Sequence, residues 1–285
     1  MKTIFYKHLI VSVMLTAFSL LWFSTTVFSG EEKTFIYFHS SETSINNFKS
    51  LKMEFDRYLS RFGPYELQPV KERPEFEKQI AHSQNCLILL SSWHYKRIGS
   101  TFQGKPVLIG IRNGKNTQKR LLVADKDFPD LASSAVNIAS ASSIQHTQSV
   151  MRDLFDEKKL NVDALRILTV PKDIDAIMAV GFGISGAALI TEYSYDRLKL
   201  LTPVLYEKLK ILATGPEFHL MILAARSTCI EKNRPLIQII KQMPDTPLGQ
   251  KQIHMLGLDS FQDATNSDVK ILNITQNLTR QQEEK

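Results

Sequence analysis

The chain has 285 residues, of which 43% are hydrophobic and 22% are charged. These proportions are typical of globular proteins and exclude a collagen-like, coiled-coil or wholly disordered chain. Two cysteines exclude a disulfide-dense scaffold and a metal domain built on several cysteines. The formal net charge of +6 is compatible with an anionic ligand, whereas the lack of a basic stripe interleaved with aromatic residues argues against nucleic acid.

The first 29 residues have the pattern of a secretory signal peptide. Lys2 and Lys7 precede an uncharged run over residues 9–23, and Val27-Phe28-Ser29 fits a cleavage site before Gly30. An uncleaved membrane anchor is the alternative, because the uncharged span over residues 9–30 is long enough to cross a bilayer. Cleavage would leave a mature chain with a net charge of +4.

From residue 34 onward, strand and helix patterns alternate. Strands are predicted at residues 34–40, 65–71 and 85–90, and helices at residues 41–63 and 73–83. The last of these strands is almost entirely apolar, so it is expected to be covered on both faces. A β-α-β-α-β order predicts a parallel sheet with right-handed crossovers.

Two further strands are predicted at residues 105–111 and 120–124, with a turn at Asn113-Gly114 between them. The charged segment over residues 125–134 contains Pro129 and breaks the alternation. We interpret this segment as a crossing between two lobes.

The same alternation then starts again. Strands are predicted at residues 135–139, 165–170, 187–190 and 209–213, and helices at residues 140–155 and 172–180. Residues 220–225 are interpreted as the path back to the first lobe, followed by a helix at residues 228–243. The predicted organisation is therefore 1–29 signal peptide or anchor, 30–125 first part of lobe 1, 126–222 lobe 2, 223–263 return to lobe 1, and 264–285 polar tail.

This order of elements predicts an α/β fold with two lobes arranged as a hinged clamshell. Each lobe would have a central, mostly parallel sheet flanked by helices. Ligands of such folds bind in the crevice, at the carboxyl ends of strands and the amino ends of helices.

Four stretches, in their order and spacing, resemble a known family. They are FKSLKMEFDRYLSRFGPYELQPV, CLILLSSWHY, VNIASASSIQHTQSVMRDLF and TPLGQKQIHMLGLDSFQD. Over most of residues 34–263 the chain resembles the periplasmic phosphate/phosphonate-binding-like substrate-binding proteins of ABC transporters, which have the type 2 periplasmic-binding-protein fold. The resemblance implies an exported, periplasmic and monomeric protein that captures a small anionic ligand, phosphonate- or phosphate-like, for the membrane permease of an ABC importer.

Two departures from the family suggest an alternative function. The family's turn in lobe 2 usually reads Ser-Thr-Ser-Gly, whereas this chain has Ser140-Ala141-Ser142-Ser143-Ile144. Gly186 stands where the family commonly has an aspartate. In the alternative, the chain is a repurposed member of the family that is anchored at the inner membrane and acts as a partner of a membrane sensor or assembly. Its ligand pocket would then be altered or lost.

Candidate ligand-binding residues are those predicted to follow strands. Ser140, Ser142 and Ser143 open a helix, where hydroxyls and free N–H groups bind an oxyanion; plain helix capping is the alternative. The most apolar strand is followed by Ser91, Ser92, Trp93 and Tyr95. The serine and tyrosine hydroxyls could donate hydrogen bonds to an anion, and the indole ring could form a wall of the pocket. In the alternative interpretation, the aromatic pair packs at the lobe interface.

Two weaker pairs complete the candidate set. His39 and Ser40 follow the first strand. Glu192 and Tyr193 follow the strand at residues 187–190, where a carboxylate would bind an ammonium group or would simply be solvated.

Neither a catalytic nor a metal site is predicted from the sequence. It contains no G-x-S-x-G, H-E-x-x-H or Walker motif, and its seven histidines lack metal-ligand spacing. No cofactor is implied. Cys86 and Cys229 would lie in the same lobe, where they would form a disulfide or remain buried thiols.

Overall fold

A computed structural model describes residues 32–40, 47–82, 86–129, 131, 136–155, 160–270 and 272. From Thr34 onward these residues belong to one unit that contains two β-sheets. The predicted signal peptide lies outside the described residues, as do residues 41–46 at the start of the first predicted helix. Across the described ranges, every helix is too short or too polar for a membrane span.

The first sheet has six strands. They are β1 (Thr34–His39), β2 (Tyr65–Pro69), β3 (Leu87–Ser91), β4 (Gly104–Ile111), β10 (Met221–Arg226) and β11 (Ser260–Asp263). Their order across the sheet is β11-β4-β10-β3-β1-β2. Strands β1 to β4 run in one direction, and β10 and β11 run against them. We call this sheet and its helices lobe 1.

The second sheet has five strands and forms lobe 2. They are β5 (Thr117–Asp125), β6 (Asn137–Ser140), β7 (Arg166–Thr169), β8 (Ala187–Thr191) and β9 (Leu209–His219). The order is β7-β6-β8-β5-β9, and only β5 among these five strands runs against the others. Both sheets are therefore mixed rather than mostly parallel as predicted: three of the five neighbouring strand pairs in the first sheet and two of the four in the second are antiparallel.

Nine helices up to residue 255 of the described chain flank the sheets, and residues 266–270 are also helical. They are α1 (Phe48–Leu59), α2 (Arg73–His82), α3 (Ser92–Phe102), α4 (Ile144–Leu154), α5 (Asp173–Gly181), α6 (Glu192–Leu201), α7 (Pro203–Lys208), α8 (Ile230–Lys241) and α9 (Pro247–Met255). Asn47 caps α1, and Leu51, Phe55, Tyr58 and Leu59 form its buried face at helical spacing. Helices α3, α6 and α7 were not predicted from the sequence.

Both sheets are covered by hydrophobic clusters on their two faces, which explains why their central strands β3 and β8 are almost entirely apolar. All five residues of β3 are buried, because one hydrophobic cluster lies on each side of the lobe 1 sheet. All five residues of β8 are likewise buried between the two clusters of lobe 2. Strands that are covered on both faces have nearly continuous apolar runs, as these two do.

The structure corrects two predicted lobe boundaries. Strand β5 pairs with β8 and β9, so the chain first crosses between lobes over residues 112–116 rather than over 125–134. Asn113 and Gly114, with φ of 50° and 72°, turn the chain there. The return crossing lies at Leu220, between β9 and β10, rather than after residue 222.

The predicted polar tail begins later than expected. Residues 266–270 are helical, and Asp268 and Leu272 are buried. Leu272 packs in the cluster that covers one face of the lobe 1 sheet. Residues 264–270 and 272 therefore belong to the folded unit, while residues 271 and 273–285 lie outside the described chain.

Asp268 connects the two crossings between the lobes. Asn116 Nδ2 of the first crossing donates to Asp268 Oδ1 at 3.4 Å, and His219 Nε2 of the second lies 3.4 Å from the same oxygen. Thr265 holds the other carboxylate oxygen through its backbone N–H and its hydroxyl. Burial lowers the pKa of His219, and the nearby Asp268 opposes that shift.

Cys86 and Cys229 form a disulfide with a Cα–Cα distance of 5.8 Å. The first cysteine directly precedes β3, and the second ends a 3₁₀ turn before α8. Both belong to lobe 1, so the bond closes that lobe across a chain separation of 143 residues. Of the two states that the sequence left open for these cysteines, the structure has the disulfide.

Candidate ligand-binding cleft

A cleft of about 770 Å³ lies between the two sheets. Its walls include residues at the carboxyl ends of five strands. They are Ser40 after β1, Ser91 at the end of β3, Ala141 after β6, Lys172 near the end of β7 and Thr191 at the end of β8. This is the expected place for a ligand in an α/β fold, because the loops that follow parallel strands meet at one edge.

The amino termini of three helices also border this cleft. Three of the lining residues are helix caps whose side chains accept a backbone N–H: Asn47 from Ser50 at 2.8 Å, Ser91 from His94 at 3.3 Å, and Thr191 from Ser194 at 3.2 Å. The amino end of a helix carries about half a positive charge and attracts anions. These termini make the walls favourable to an oxyanion.

The charged side chains of the cleft are predominantly basic. The lining contains four cationic side chains, Arg112, Arg120, Lys172 and Arg197, against two carboxylates, Asp173 and Asp259. Three of the four cations belong to lobe 2, and Arg112 lies where the chain crosses between lobes. The net positive charge suits an anionic ligand.

Arg120 is the most buried of these cations, with a relative exposure of 2%. Its Nη2 donates to Ser142 Oγ at 3.1 Å, and its Nη1 lies 3.9 Å from Asp173 Oδ1. The other oxygen of Asp173 accepts the N–H and hydroxyl of Thr191 and the hydroxyl of Ser194. The arginine is therefore fixed on one side by the turn at residues 140–143, which we call the serine turn, and on the other by a carboxylate that is hydrogen-bonded to the amino end of α6.

Arg112 contacts both walls of the cleft. Its Nε donates to the carbonyl of Gly257 in lobe 1, and its Nη1 approaches Gln118 Oε1 of lobe 2 at 3.5 Å. The guanidinium also lies 5.0 Å from the centre of the Tyr193 ring. A change in the angle between the lobes would change these contacts.

Three of the residues predicted from the sequence line the cleft: Ser40, Ser91 and Tyr193. The hydroxyls of Ser92 and Tyr95 instead form hydrogen bonds inside the protein. The Ser92 hydroxyl donates to the carbonyl of His219 at 2.6 Å, and the Tyr95 hydroxyl donates to the carbonyl of Gly104 at 2.8 Å. Burial raises the pKa of Tyr95 to about 12.

Trp93 and His39 belong to a buried cluster of aromatic and histidine rings. Trp93 of lobe 1 meets the edge of His146 of lobe 2, with ring centres 4.8 Å apart. Burial lowers the pKa of His146 well below 6.5, and Arg120 and His94 lower it further. His39 donates from Nδ1 to the carbonyl of Val70, and its ring packs against His94.

The serine turn lies behind the cleft wall rather than on it. Ser140 Oγ accepts the N–H of Ser142 and the hydroxyl of Thr147, and Ser143 Oγ caps α4 through the N–H of His146. Among the described lining residues the turn contributes Ala141, while Ser142 reaches the cleft through Arg120. Glu192, a half-buried residue in the first turn of α6, is not part of the lining. Ligand contact by these residues stays a prediction.

Sequence reasoning missed the basic side chains of the cleft and the segment over residues 254–259, which lines it from lobe 1. One local signal was available. Arg120 directly precedes the apolar run Leu121–Ala124, and an arginine on a buried strand requires a partner.

Several solved structures resemble this fold. XAC2383 from Xanthomonas citri, bound to ATP, has a TM-score of 0.62 and 10% identity, with 87% of this chain and 99% of that chain covered. A binding protein component of an ABC phosphonate transporter from Pseudomonas aeruginosa (PA3383) has a TM-score of 0.62 and 16% identity, covering 86% and 87%. PhnD1 from Prochlorococcus marinus, in complex with methylphosphonate, has a TM-score of 0.58 and 11% identity, covering 86% and 98%. At these identities the likeness establishes the fold, a two-lobed α/β clamshell.

Sequence comparison identifies the family. A search of curated proteins finds no match. The family model of the phosphonate periplasmic substrate-binding proteins of ABC transporters matches residues 38–269, a range that contains every strand from β2 to β11 and the lining of the cleft. The chain therefore belongs to the phosphonate family of periplasmic substrate-binding proteins of ABC transporters, which bind substrates for transport and are not enzymes.

Proposed function

We propose that this protein captures a phosphonate- or phosphate-like oxyanion in the cleft between its lobes and delivers it to the membrane permease of an ABC importer. The observation that carries the proposal is the convergence of Arg112, Arg120, Lys172 and Arg197 with three capped helix termini. Guanidinium groups bind oxyanions through two parallel hydrogen bonds, and helix termini add N–H donors. Membership of the family supports the same role.

Closure of the lobes would complete the site. Lobe 1 supplies the amino termini of α1 and α3, whereas lobe 2 supplies most of the cationic side chains. An oxyanion held by both walls favours the closed form, because only that form brings the two sets of donors together. The closed form would then dock on the permease.

The test is thermal unfolding of the purified protein with phosphate, phosphite, methylphosphonate, sulfate and acetate. A ligand at about 100 times its dissociation constant adds about 2.7 kcal/mol to the free energy of unfolding, a rise of a few degrees. A rise with a phosphorus oxyanion and none with acetate would support the proposal. A flat panel would contradict it and would favour the alternative role as a protein partner.

A pair of arginine variants locates the site. Arg197 lines the cleft, whereas Arg234 is an exposed arginine of α8 outside it. Arg197→Met should weaken binding by about 10- to 100-fold, because a hydrogen bond to a charged group contributes about 1.5–3 kcal/mol. Arg234→Met should leave the affinity unchanged, and equal effects of both variants would place the oxyanion elsewhere.

A further inference from the structure

We propose that residues 264–270 form a clasp on the hinge between the lobes, and that Asp268 is the side chain through which the clasp resists a change in the angle between them. Asp268 is not among the described residues that line the cleft, so it acts on the hinge without touching a ligand. The inference concerns the hinge alone and does not depend on which ligand the cleft binds.

The two crossings of the chain lie side by side and form a two-stranded hinge. The N–H of Leu220 donates to the carbonyl of Asn116 at 3.0 Å, and Thr117 pairs with His219 at the start of the lobe 2 sheet. The described chain passes between the sheets at these two places. A rotation of one lobe against the other therefore has to change the backbone there.

The clasp is attached to lobe 1 at both of its ends. At one end, the N–H of Ala264 donates to the carbonyl of Val107 in β4 at 3.0 Å. Beyond the other end, the fully buried Leu272 packs in a hydrophobic cluster of lobe 1. Between them, Thr265 donates to Asp268 Oδ2 from its N–H at 2.9 Å and from its hydroxyl at 2.6 Å. The carboxylate therefore has a fixed position relative to lobe 1.

The second oxygen of this carboxylate faces both strands of the hinge. Asn116 Nδ2 donates to Asp268 Oδ1 at 3.4 Å, and His219 Nε2 lies 3.4 Å from the same atom. Lobe 1 holds the second strand once more, because the Ser92 hydroxyl donates to the carbonyl of His219. A rotation that moves the hinge strands away deprives a carboxylate that is only 6% exposed of its partners. Such a loss is costly for a buried charge, so the clasp favours the angle seen here.

The width of the distribution of distances between the lobes tests the clasp. Spin labels at Lys78→Cys in α2 and Asp196→Cys in α6, both exposed positions, report that distribution by pulsed electron paramagnetic resonance. Labelling without reductant keeps the native disulfide. Asp268→Asn keeps the size of the side chain but leaves one oxygen for two sets of donors, so the distribution should broaden. Asp263→Asn, which changes an exposed carboxylate at the end of β11, should leave it as narrow as in the parent protein.

Hydrogen exchange at the hinge supplies a second, local measurement. The Leu220 amide, bonded to Asn116 across the hinge, should exchange about 10-fold faster in Asp268→Asn, because a hydrogen bond to a charged group contributes about 1.5 kcal/mol or more. Asn116→Ala, which removes one contact of the clasp and keeps the carboxylate, should change both measurements in the same direction and covers the case in which Asp268→Asn does not fold. A distribution and an exchange rate in the folded variants equal to those of the parent protein would overturn the inference. Equal broadening by Asp263→Asn would overturn it as well.

Discussion

The burial of His146 between the lobes makes stability depend on pH. His146 is 2% exposed, its ring meets Trp93 of the other lobe, and Arg120 and His94 lie close enough to oppose a positive charge on it. Burial, the largest cause, holds its pKa well below 6.5. We predict that acidification destabilises the folded protein through this side chain.

The magnitude follows from the difference in bound protons. Above pH 6.5 the side chain is neutral in both states, so its contribution to stability is fully present. As the pH falls below 6.5 the unfolded chain binds a proton that the folded chain does not, and the free energy of unfolding drops by about 1.4 kcal/mol per pH unit. The drop ends when the pH reaches the lowered pKa of the folded state.

The assay is denaturant unfolding of the wild type and His146→Gln at pH 7.5 and pH 5.5. Because a glutamine side chain does not titrate, the variant should lose about 1.4 kcal/mol less than the wild type over this interval. His39, His94 and His219, whose pKa values are also lowered chiefly by burial, remain in both proteins and their effects cancel in the comparison. His254→Gln, which removes an exposed histidine, is the control. Parallel pH profiles of the wild type and His146→Gln would refute the reasoning.

Two further predictions concern covalent and polar features of the fold. Because the Cys86–Cys229 bond closes a separation of 143 residues, replacing both cysteines with serine should lower the free energy of unfolding by up to about 5 kcal/mol. Added reductant should destabilise the wild type by a similar amount in chemical denaturation and leave the variant unchanged; a wild type that reductant does not affect would contradict the disulfide. Ser142→Ala should weaken oxyanion binding in calorimetry because Ser142 fixes Arg120, whereas Ser143→Ala should remove a helix cap and cost about 1 kcal/mol of stability with affinity retained. Equal affinities of both variants and the wild type would remove the serine turn from the site.

The sequence predicts much of the fold because its strongest signals are local. The unbroken apolar run of β3 and the helical spacing of Leu51, Phe55 and Leu59 depend only on neighbouring residues and the face that they bury. The position of Ser40 and Ser91 at the cleft follows equally from the rule that ligands lie at the carboxyl ends of parallel strands.

The features that the sequence did not predict depend on distant partners. A turn at Asn113-Gly114 suits a hairpin and a crossing between sheets equally well, and only the pairing of β5 with β8 and β9 distinguishes them. In the sequence, Asp268 lies in a segment with the composition of a polar tail. Only the structure shows that Asn116 and His219 contact it. Arg120 becomes a cleft residue only when β5 is assigned to lobe 2.

The order of the strands has a consequence for how the chain folds as it is synthesised. All strands of lobe 2 lie within the continuous segment from Thr117 to His219, so that sheet is complete as soon as β9 has been made. The lobe 1 sheet must wait, because β10, which separates β3 from β4, is encoded after the whole of lobe 2. Until Met221–Arg226 is available, β3 and β4 have unpaired inner edges that other strands can join. Synthesis of lobe 1 therefore begins first and is completed last. Its early parts, strands β1 to β3 and strand β4, are the part of this chain most exposed to mispairing.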